Sequence, residues 1–313
     1  MMDGEGSDPF RNDVISGLSR KPKSLPSRWL YDEKGSALFD EITELPEYYP
    51  TRTELKILRN KAGEMAEAIG PHAVIIEYGA GSLLKVRILL DALDRPRAFV
   101  PVDISASHLH AAAEGLNEDY PELIVDPIAS DFMANNLGEA LPETPGRNVG
   151  FFPGSTVGNL SDAEIKRFLS NVRSDLGDTS CFIIGVDQPK SPDILIPAYD
   201  DAQGVTAAFN LNLLTRINRE LKGDFDPGAF EHEARWNAED SRIEMHLRSL
   251  KRQRVRVAGE VFDFEQGETI HTENSRKIAL DRFEAMAAGC GWTLKRTWKD
   301  EDGLFAVLLL EAS

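Results

Sequence analysis

Three short stretches carry side chains suited to a nucleoside-bearing ligand. The first is Glu77-Tyr78-Gly79-Ala80-Gly81, closing the apolar run Ala73 to Glu77. Glycines at such a turn let the backbone approach a ligand closely. Leu84 stands where a dinucleotide fingerprint has its third glycine, which argues against a pyrophosphate cofactor. The second is Asp103, after the run Ala98 to Val102, at the distance where an acid takes ribose hydroxyls. The third is Asp131-Phe132, an acid and an aromatic able to bond and cover an adenine ring. Each has a plainer reading: a tight turn, a helix N-terminal acid beside Ser105, a loop acid next to a core phenylalanine. Three in succession at strand ends are much more specific than any one.

These residues need a scaffold of strands and helices. Ala73 to Glu77, Ala98 to Val102, Leu123 to Ile128, Val149 to Phe152 and Cys181 to Val186 read as buried strands. Between them, Leu83 to Leu93 has helical spacing, and Ser105 caps a helix running to about Asp119. Ser161 with Glu164 forms a capping box for a helix ending near Gly177. This βα alternation predicts an α/β fold with a doubly wound parallel sheet. Pro189, Pro192 and Pro197 then break the chain, and a long helix is expected over Ala198 to Leu221. From Glu231 to Ile270 polar and apolar residues alternate, as in antiparallel sheet with one wet face. A helix over Leu280 to Ala288 and strands Thr293 to Trp298 and Leu304 to Glu311 close the chain. The predicted organisation is a Rossmann-like core (54–189 plus 280–313), an α+β insertion (20–53 plus 190–279) and a frayed leader (1–19).

Composition narrows the partners. A net charge of −17, from 52 acidic against 35 basic residues, repels phosphate backbones and anionic membranes, so neither nucleic acid nor a membrane is expected. No apolar run is long enough to span a bilayer, and the start of the chain lacks a signal-peptide pattern, so a cytoplasmic protein is expected. Cys181 and Cys290 exclude a disulfide framework. The six histidines, among them His232, His246 and His271, show no zinc-ligand spacing, and no metal is expected.

Longer motifs are more distinctive: YDEKGSALFDEITELPEYYPTRTE from Tyr31, GSTVGNL from Gly154, AYDDAQGVTAAFNLNLLTRINREL from Ala198 and RIEMHLRS from Arg242. The core is similar to class I S-adenosylmethionine methyltransferases. From about Leu30 onward the chain resembles the histidine Nα-methyltransferases of ergothioneine biosynthesis. That resemblance makes the insertion the substrate-binding part and S-adenosylmethionine the methyl donor. It implies cofactor contacts from Tyr31, Gly79, Lys85, Asp103, Asp131 and Phe132. It places Tyr48, Gly154, Asn159 and Tyr199 around the amino acid head group, with Tyr48 and Asn159 as the catalytic pair. Met245, Glu273 and Ser275 would line the imidazole pocket. L-histidine and its mono- and dimethyl forms would be substrates, hercynine the product, and the enzyme a monomer. Ala80, Leu83 and Leu84 depart from the family's glycine-serine-glycine turn and its small polar followers, removing hydroxyls near the cofactor's methionine moiety.

Residue chemistry agrees with these assignments. Asn159 and Tyr199 can donate to a carboxylate, and Glu273 can accept from an imidazole N–H while Ser275 adapts. Glu273 and Ser275 alternate along a strand-like segment, so both face one way. No general base stands out. Two rivals remain: an N-methyltransferase for another aromatic amino acid such as a tryptophan derivative, and a noncatalytic S-adenosylmethionine-binding protein. An acid in the pocket has no donor to meet on an indole benzo ring, which separates the first.

Overall fold

A strand covered on both faces needs apolar residues throughout, and Val74–Tyr78 is buried at every position. The computed structural model describes residues 8–104, 106–133, 137–142 and 146–313. The chain opens with α1 (Pro9–Ser19), β1 (Lys23–Ser24), α2 (Glu33–Thr43) and α3 (Tyr49–Ile69). Then come β2 (Val74–Tyr78), α4 (Leu84–Ala92), β3 (Ala98–Asp103), α5 (Ala106–Asp119), β4 (Ile124–Val125), β5 (Ile128–Ala129), β6 (Asn148–Phe152), α6 (Asp162–Leu176) and β7 (Cys181–Asp187). Helices α7 (Pro192–Tyr199) and α8 (Val205–Leu221) lead into β8 (Phe230–Asn237), β9 (Arg242–Ser249), β10 (Gln253–Val257), β11 (Glu260–Phe264) and β12 (Thr269–Arg276). Helix α9 (Leu280–Ala288), β13 (Trp292–Lys299) and β14 (Phe305–Ala312) finish it.

Two compact units result: Met1–Tyr49 with Lys190–Arg276, and Pro50–Pro189 with Lys277–Ser313. In the second of these, the core unit, the strand order is β13-β14-β7-β6-β2-β3-β4, with β5 also pairing β3. Strands β7 to β5 are parallel, whereas β14 runs antiparallel to β7 and β13 to β14. Alternate strand residues feed opposite faces. Ile76 and Tyr78 join Phe168 of α6 and Phe283 of α9, while Ile75 joins Met65 of α3, Leu89 of α4 and Leu116 of α5. Helices therefore cover both faces, and the fold is the Rossmann-like α/β class expected. The capping box at α6 is present, with Ser161 and Glu164 bonding reciprocally. Cys181 is buried in β7.

The other unit holds a four-stranded sheet of order β1-β12-β9-β8 and a separate β10–β11 hairpin. Strand β1 is parallel to β12 and the other pairings are antiparallel. Helix α2 is tied to α8 through Asp32, which caps α2 by accepting from Gly35 N–H. Its carboxylate also accepts from Asn212 Nδ2 and Arg219, each at 2.7 Å.

Four expectations change. Residues 9–19 are a helix rather than a frayed leader. Asp8 caps it and Phe10, Val14 and Leu18 are buried, so an apolar face outweighs the terminal position. Residues 1–7 lie outside the described residues, as does Ser105, the expected cap of α5. The third strand splits into β4 and β5 around Asp126-Pro127, where proline offers no N–H to a ladder. The long helix over 198–221 is two helices. Pro192 starts α7 and Pro197 lies inside it, so these prolines do not break the chain. The break falls at 200–204, where Gly204 has φ +75° and the Asp201 carboxylate takes the N–H groups of Val205 and Thr206.

The chain leaves the core unit after β7 and re-enters before α9. Lys277 Nζ lies 2.7 Å from Asp187 Oδ2 there, and both side chains are essentially without solvent contact. Ile278 N–H donates to Asp187 O, and Gln188 Nε2 donates to Val186 O and Ile278 O. Breaking such a pair strands one buried charge. Lys277→Met is expected to cost about 3–5 kcal/mol in urea unfolding, and adding Asp187→Leu to recover most of that loss.

Candidate active site

In the core unit the expected cofactor residues sit at the carboxyl ends of parallel strands, where open α/β sheets bind ligands. Gly79 follows β2, and its N–H donates to Val102 O of β3 at 2.8 Å. Asp103 ends β3 and is partly exposed. Asp131 follows β5, and its Oδ1 accepts from Met133 N–H at 2.8 Å, shaping the turn that presents Phe132. The Phe132 ring leans on Phe152 at 5.3 Å and Phe168 at 5.6 Å between centroids, which fixes its plane. Gly154 follows β6 with φ +82°, a conformation that favours glycine, and Asn159 ends the short 3-10 turn Thr156–Asn159.

A residue missed in the sequence joins two of these. Glu54 of α3 is 1% exposed, and its Oε2 lies 2.7 Å from Lys85 Nζ. Both carboxylate oxygens also accept from Gly154 N–H, at 3.0 and 2.8 Å. One buried carboxylate therefore holds the expected cofactor lysine and the expected head-group glycine together. It fits only because position 185 of β7 has no side chain: a Cβ there would lie 2.2 Å from Glu54 Oε1. Glu54 closes the long motif that begins at Tyr31, and that position was its only signal.

Glu77 was read only as the end of an apolar run. Its Oε2 is buried without a hydrogen-bond partner among the described residues. Burial pushes the carboxyl up to about 8 against the pull of Lys85, with Glu54 and Asp103 adding to the rise. An orphaned acid beside Asp103 and Lys85 fits a ligand that brings a cationic amine, as S-adenosylmethionine does.

In the other unit the fold gathers the remaining residues. Met245 of β9 stands opposite Glu273 of β12, and Ser275 lies two residues beyond on the same face. Met245, Glu273 and Ser275 are all buried. Tyr31, after a 3-10 turn, donates its hydroxyl to Glu273 Oε1 at 3.3 Å. Tyr199, the last residue of α7, shares a 2.6 Å hydrogen bond with Ser275 Oγ. Tyr48 packs edge-on against Tyr199 and Phe39, at 5.9 and 6.1 Å. Tyr31 in turn meets Phe39 and Phe209 edge-on. These two phenylalanines, unassigned in the sequence, complete an aromatic wall around a buried acid and a serine. Burial, then Glu273 and Tyr48, raise the Tyr31 hydroxyl well above its ordinary value, so it remains a donor. Tyr31 was expected at the cofactor, and its observed partner belongs to the expected imidazole pocket.

Folding also assembles a set that chain spacing did not reveal: Glu244, His246 and His271 present donor atoms within 4.8 Å of one another. Glu244 Oε1 accepts from Arg242 and Asn237, and its Oε2 lies 3.1 Å from His246 Nε2. His271 Nε2 lies 3.0 Å from Glu273 O, within hydrogen-bonding reach. The two rings are stacked at 4.9 Å with planes 23° apart. Glu244 and His246 are thus paired, and His271 stacks on His246 from the neighbouring strand.

The state of Glu77 is measurable through stability. Between the ordinary glutamate range and about 8, the folded chain keeps a proton that the unfolded chain has released, so stability falls as pH rises through that window. Glu77→Gln has no such proton. The variant is expected to gain on the wild type in urea midpoint between pH 5 and pH 8, and a constant difference would rule out the neutral carboxyl.

A family model described as histidine-specific, SAM-dependent methyltransferase matches residues 10–312. The chain is 44% identical over 309 residues to a histidine N-alpha-methyltransferase of Mycolicibacterium smegmatis, covering 97% of this chain and 95% of that one. It is also 44% identical over 307 residues to the histidine N-alpha-methyltransferase of Mycobacterium tuberculosis, covering 96% and 94%. A 4-dimethylallyltryptophan N-methyltransferase of Penicillium roqueforti is 29% identical over 307 residues, covering 92% of this chain and 89% of the relative. With strand-end acids in the core unit and a buried acid–serine–tyrosine cluster in the other, the chain belongs to the family of histidine-specific, S-adenosylmethionine-dependent methyltransferases.

Proposed function

We propose that the protein methylates the α-amino nitrogen of L-histidine with S-adenosylmethionine, three times in succession, giving hercynine for ergothioneine biosynthesis. The observation that carries the choice of histidine is the buried pair Glu273 and Ser275, each hydrogen-bonded to a tyrosine hydroxyl on one strand face. A carboxylate accepts from a ring N–H, and a hydroxyl serves either role toward the second nitrogen. Such a pocket rejects rings that cannot pair with it, because its own polar groups then lose their partners.

The chain's residues supply alignment more than acid–base chemistry. Asp103 accepts from the ribose hydroxyls, Asp131 and Phe132 bond and cover the adenine, and Gly79 and Lys85 border the methionine part. Asn159 and Tyr199 donate to the substrate carboxylate, and Tyr48 and Gly154 bound the amine. When bound, S-adenosylmethionine presents a methyl carbon already activated by its sulfonium leaving group. The amine attacks in its neutral form, and fixing it in line with that carbon is the main task of the site. Tyr31 is a poor base because burial beside Glu273 keeps its proton on. No helix among the described residues is long and apolar enough to cross a membrane. A metal-free, monomeric, cytoplasmic enzyme with no nucleic acid or membrane partner belongs to the same reading. Light scattering and metal analysis of the purified protein check the monomer and the absence of metal.

Asp103→Ala is expected to weaken S-adenosylmethionine binding by about 1–3 kcal/mol in calorimetry, the cost of unpaired ribose hydroxyls. For side-chain choice, initial methylation rates are compared at subsaturating histidine, tryptophan, phenylalanine and tyrosine. The wild type is expected to prefer histidine strongly. Glu273→Ala is expected to lose much of that preference while binding the methyl donor normally. Equal rates on tryptophan and histidine would overturn the assignment of histidine.

A further inference from the structure

Strand β12 does not pair evenly with β9. His271 stands opposite His246 and Glu273 opposite Met245, so Thr272 is an extra residue between two matched pairs. This bulge sets which face of β12 Glu273 and Ser275 occupy, because a shift of one residue turns side chains to the opposite face. Thr272 is buried, and its hydroxyl is shared between Asn210 Oδ1 at 2.7 Å and Met245 O at 3.0 Å.

Asn210 of α8 has no solvent exposure. Its Nδ2 donates to His246 O at 3.1 Å and lies 2.9 Å from His232 Nδ1. A backbone carbonyl can only accept, so the amide orientation is set: Oδ1 toward Thr272 and both Nδ2 hydrogens spent. His232 Nδ1 must then be the acceptor, which puts its proton on Nε2. That nitrogen lies 2.8 Å from Tyr199 O and donates to it. One buried amide thereby ties together the bulge before Glu273, the backbone of β9 beside Met245 and, through His232, the residue whose hydroxyl meets Ser275.

The geometry points to Asn210 as the positioning residue for substrate choice, acting directly on the Thr272 bulge and through one tautomer of His232 on Tyr199. This rests on Glu273 and Ser275 reading the imidazole, as proposed above. Asn210 touches no substrate. Its role is to hold β12 in the phase that aims Glu273 and to hold the Tyr199 backbone at a set height.

The first test is nitrogen NMR of the full-length protein with labelled histidine. His232 is expected to show a pyridine-like Nδ1 and a pyrrole-like Nε2 at neutral pH, and the opposite tautomer would overturn the relay. The second is kinetic. Asn210→Asp, nearly isosteric but without donors, is expected to raise KM for histidine at least tenfold and to erode preference over tryptophan. Its affinity for S-adenosylhomocysteine should stay within twofold. Thr272→Val should raise KM several-fold in the same way, and Thr272→Ser, which keeps the hydroxyl, should restore it. If Asn210→Asp does not fold, the Thr272 pair decides alone. Folded variants with wild-type KM and preference would sink the inference even if the wild type methylates histidine well. A wild type indifferent to histidine would instead remove the reading on which it rests.

Discussion

A salt bridge shielded from water, Lys277 to Asp187, closes the excursion on which the whole architecture depends. The chain that leaves the core unit after β7 returns to the end of the same strand. Asp187 receives the returning chain through both its carboxylate and its carbonyl, and its own N–H donates to Ser155 Oγ. Burying two charges costs desolvation energy that only close geometry and further hydrogen bonds offset. The same knot therefore steadies the loop after β6, where Gly154 and Ser155 both adopt positive φ.

Buried polar groups recur in each unit as the means of holding the expected site residues. In the core unit the Glu54 carboxylate holds Lys85 and Gly154. In the other, Asn210 spends both amide hydrogens on fixed acceptors. A network whose members are all satisfied resists small displacements, because any shift leaves a buried donor or acceptor unpaired. That rigidity suits a reaction whose barrier is lowered by alignment of an amine with an activated carbon. Tyr31 fits the same picture, since burial beside Glu273 raises its hydroxyl well above its ordinary value and keeps it a donor.

The two units are built differently for physical reasons. The central parallel strands β2 and β7 are buried at every position, so their side chains are nearly all apolar and their acids, Glu77 and Asp187, stand at or next to the carboxyl ends. The sheet β1-β12-β9-β8, antiparallel except for the β1–β12 pairing, has polar residues along its strands, which allows a face bearing Glu273 and Ser275 and a cluster of Glu244, His246 and His271 on the other.

Features set by local rules were legible in the sequence. The strand-end residues Gly79, Asp103 and Asp131, the Ser161–Glu164 box and the helix over Leu280–Ala288 follow from hydrophobic period, capping and turn chemistry within a few residues. The long motifs carried the family and, through that resemblance, the roles expected of Tyr48, Tyr199 and Glu273. Other features depend on partners far along the chain. Helix α1 forms at an end that looked frayed, because Phe10, Val14 and Leu18 find an apolar surface. The helix expected over 198–221 breaks where Asp201 caps a second helix. Glu54 gains meaning only when Lys85 and Gly154 arrive beside it, and Gly185 leaves it room. The Thr272 bulge has no pattern of its own; Asn210, 62 residues away, holds its hydroxyl. The sequence by itself determined the class of fold and the kinds of side chain available for chemistry, since periodicity and turn preference act over short range. Tertiary structure alone decided which buried polar atoms share a partner, because desolvation makes that a property of the packed interior and not of any segment.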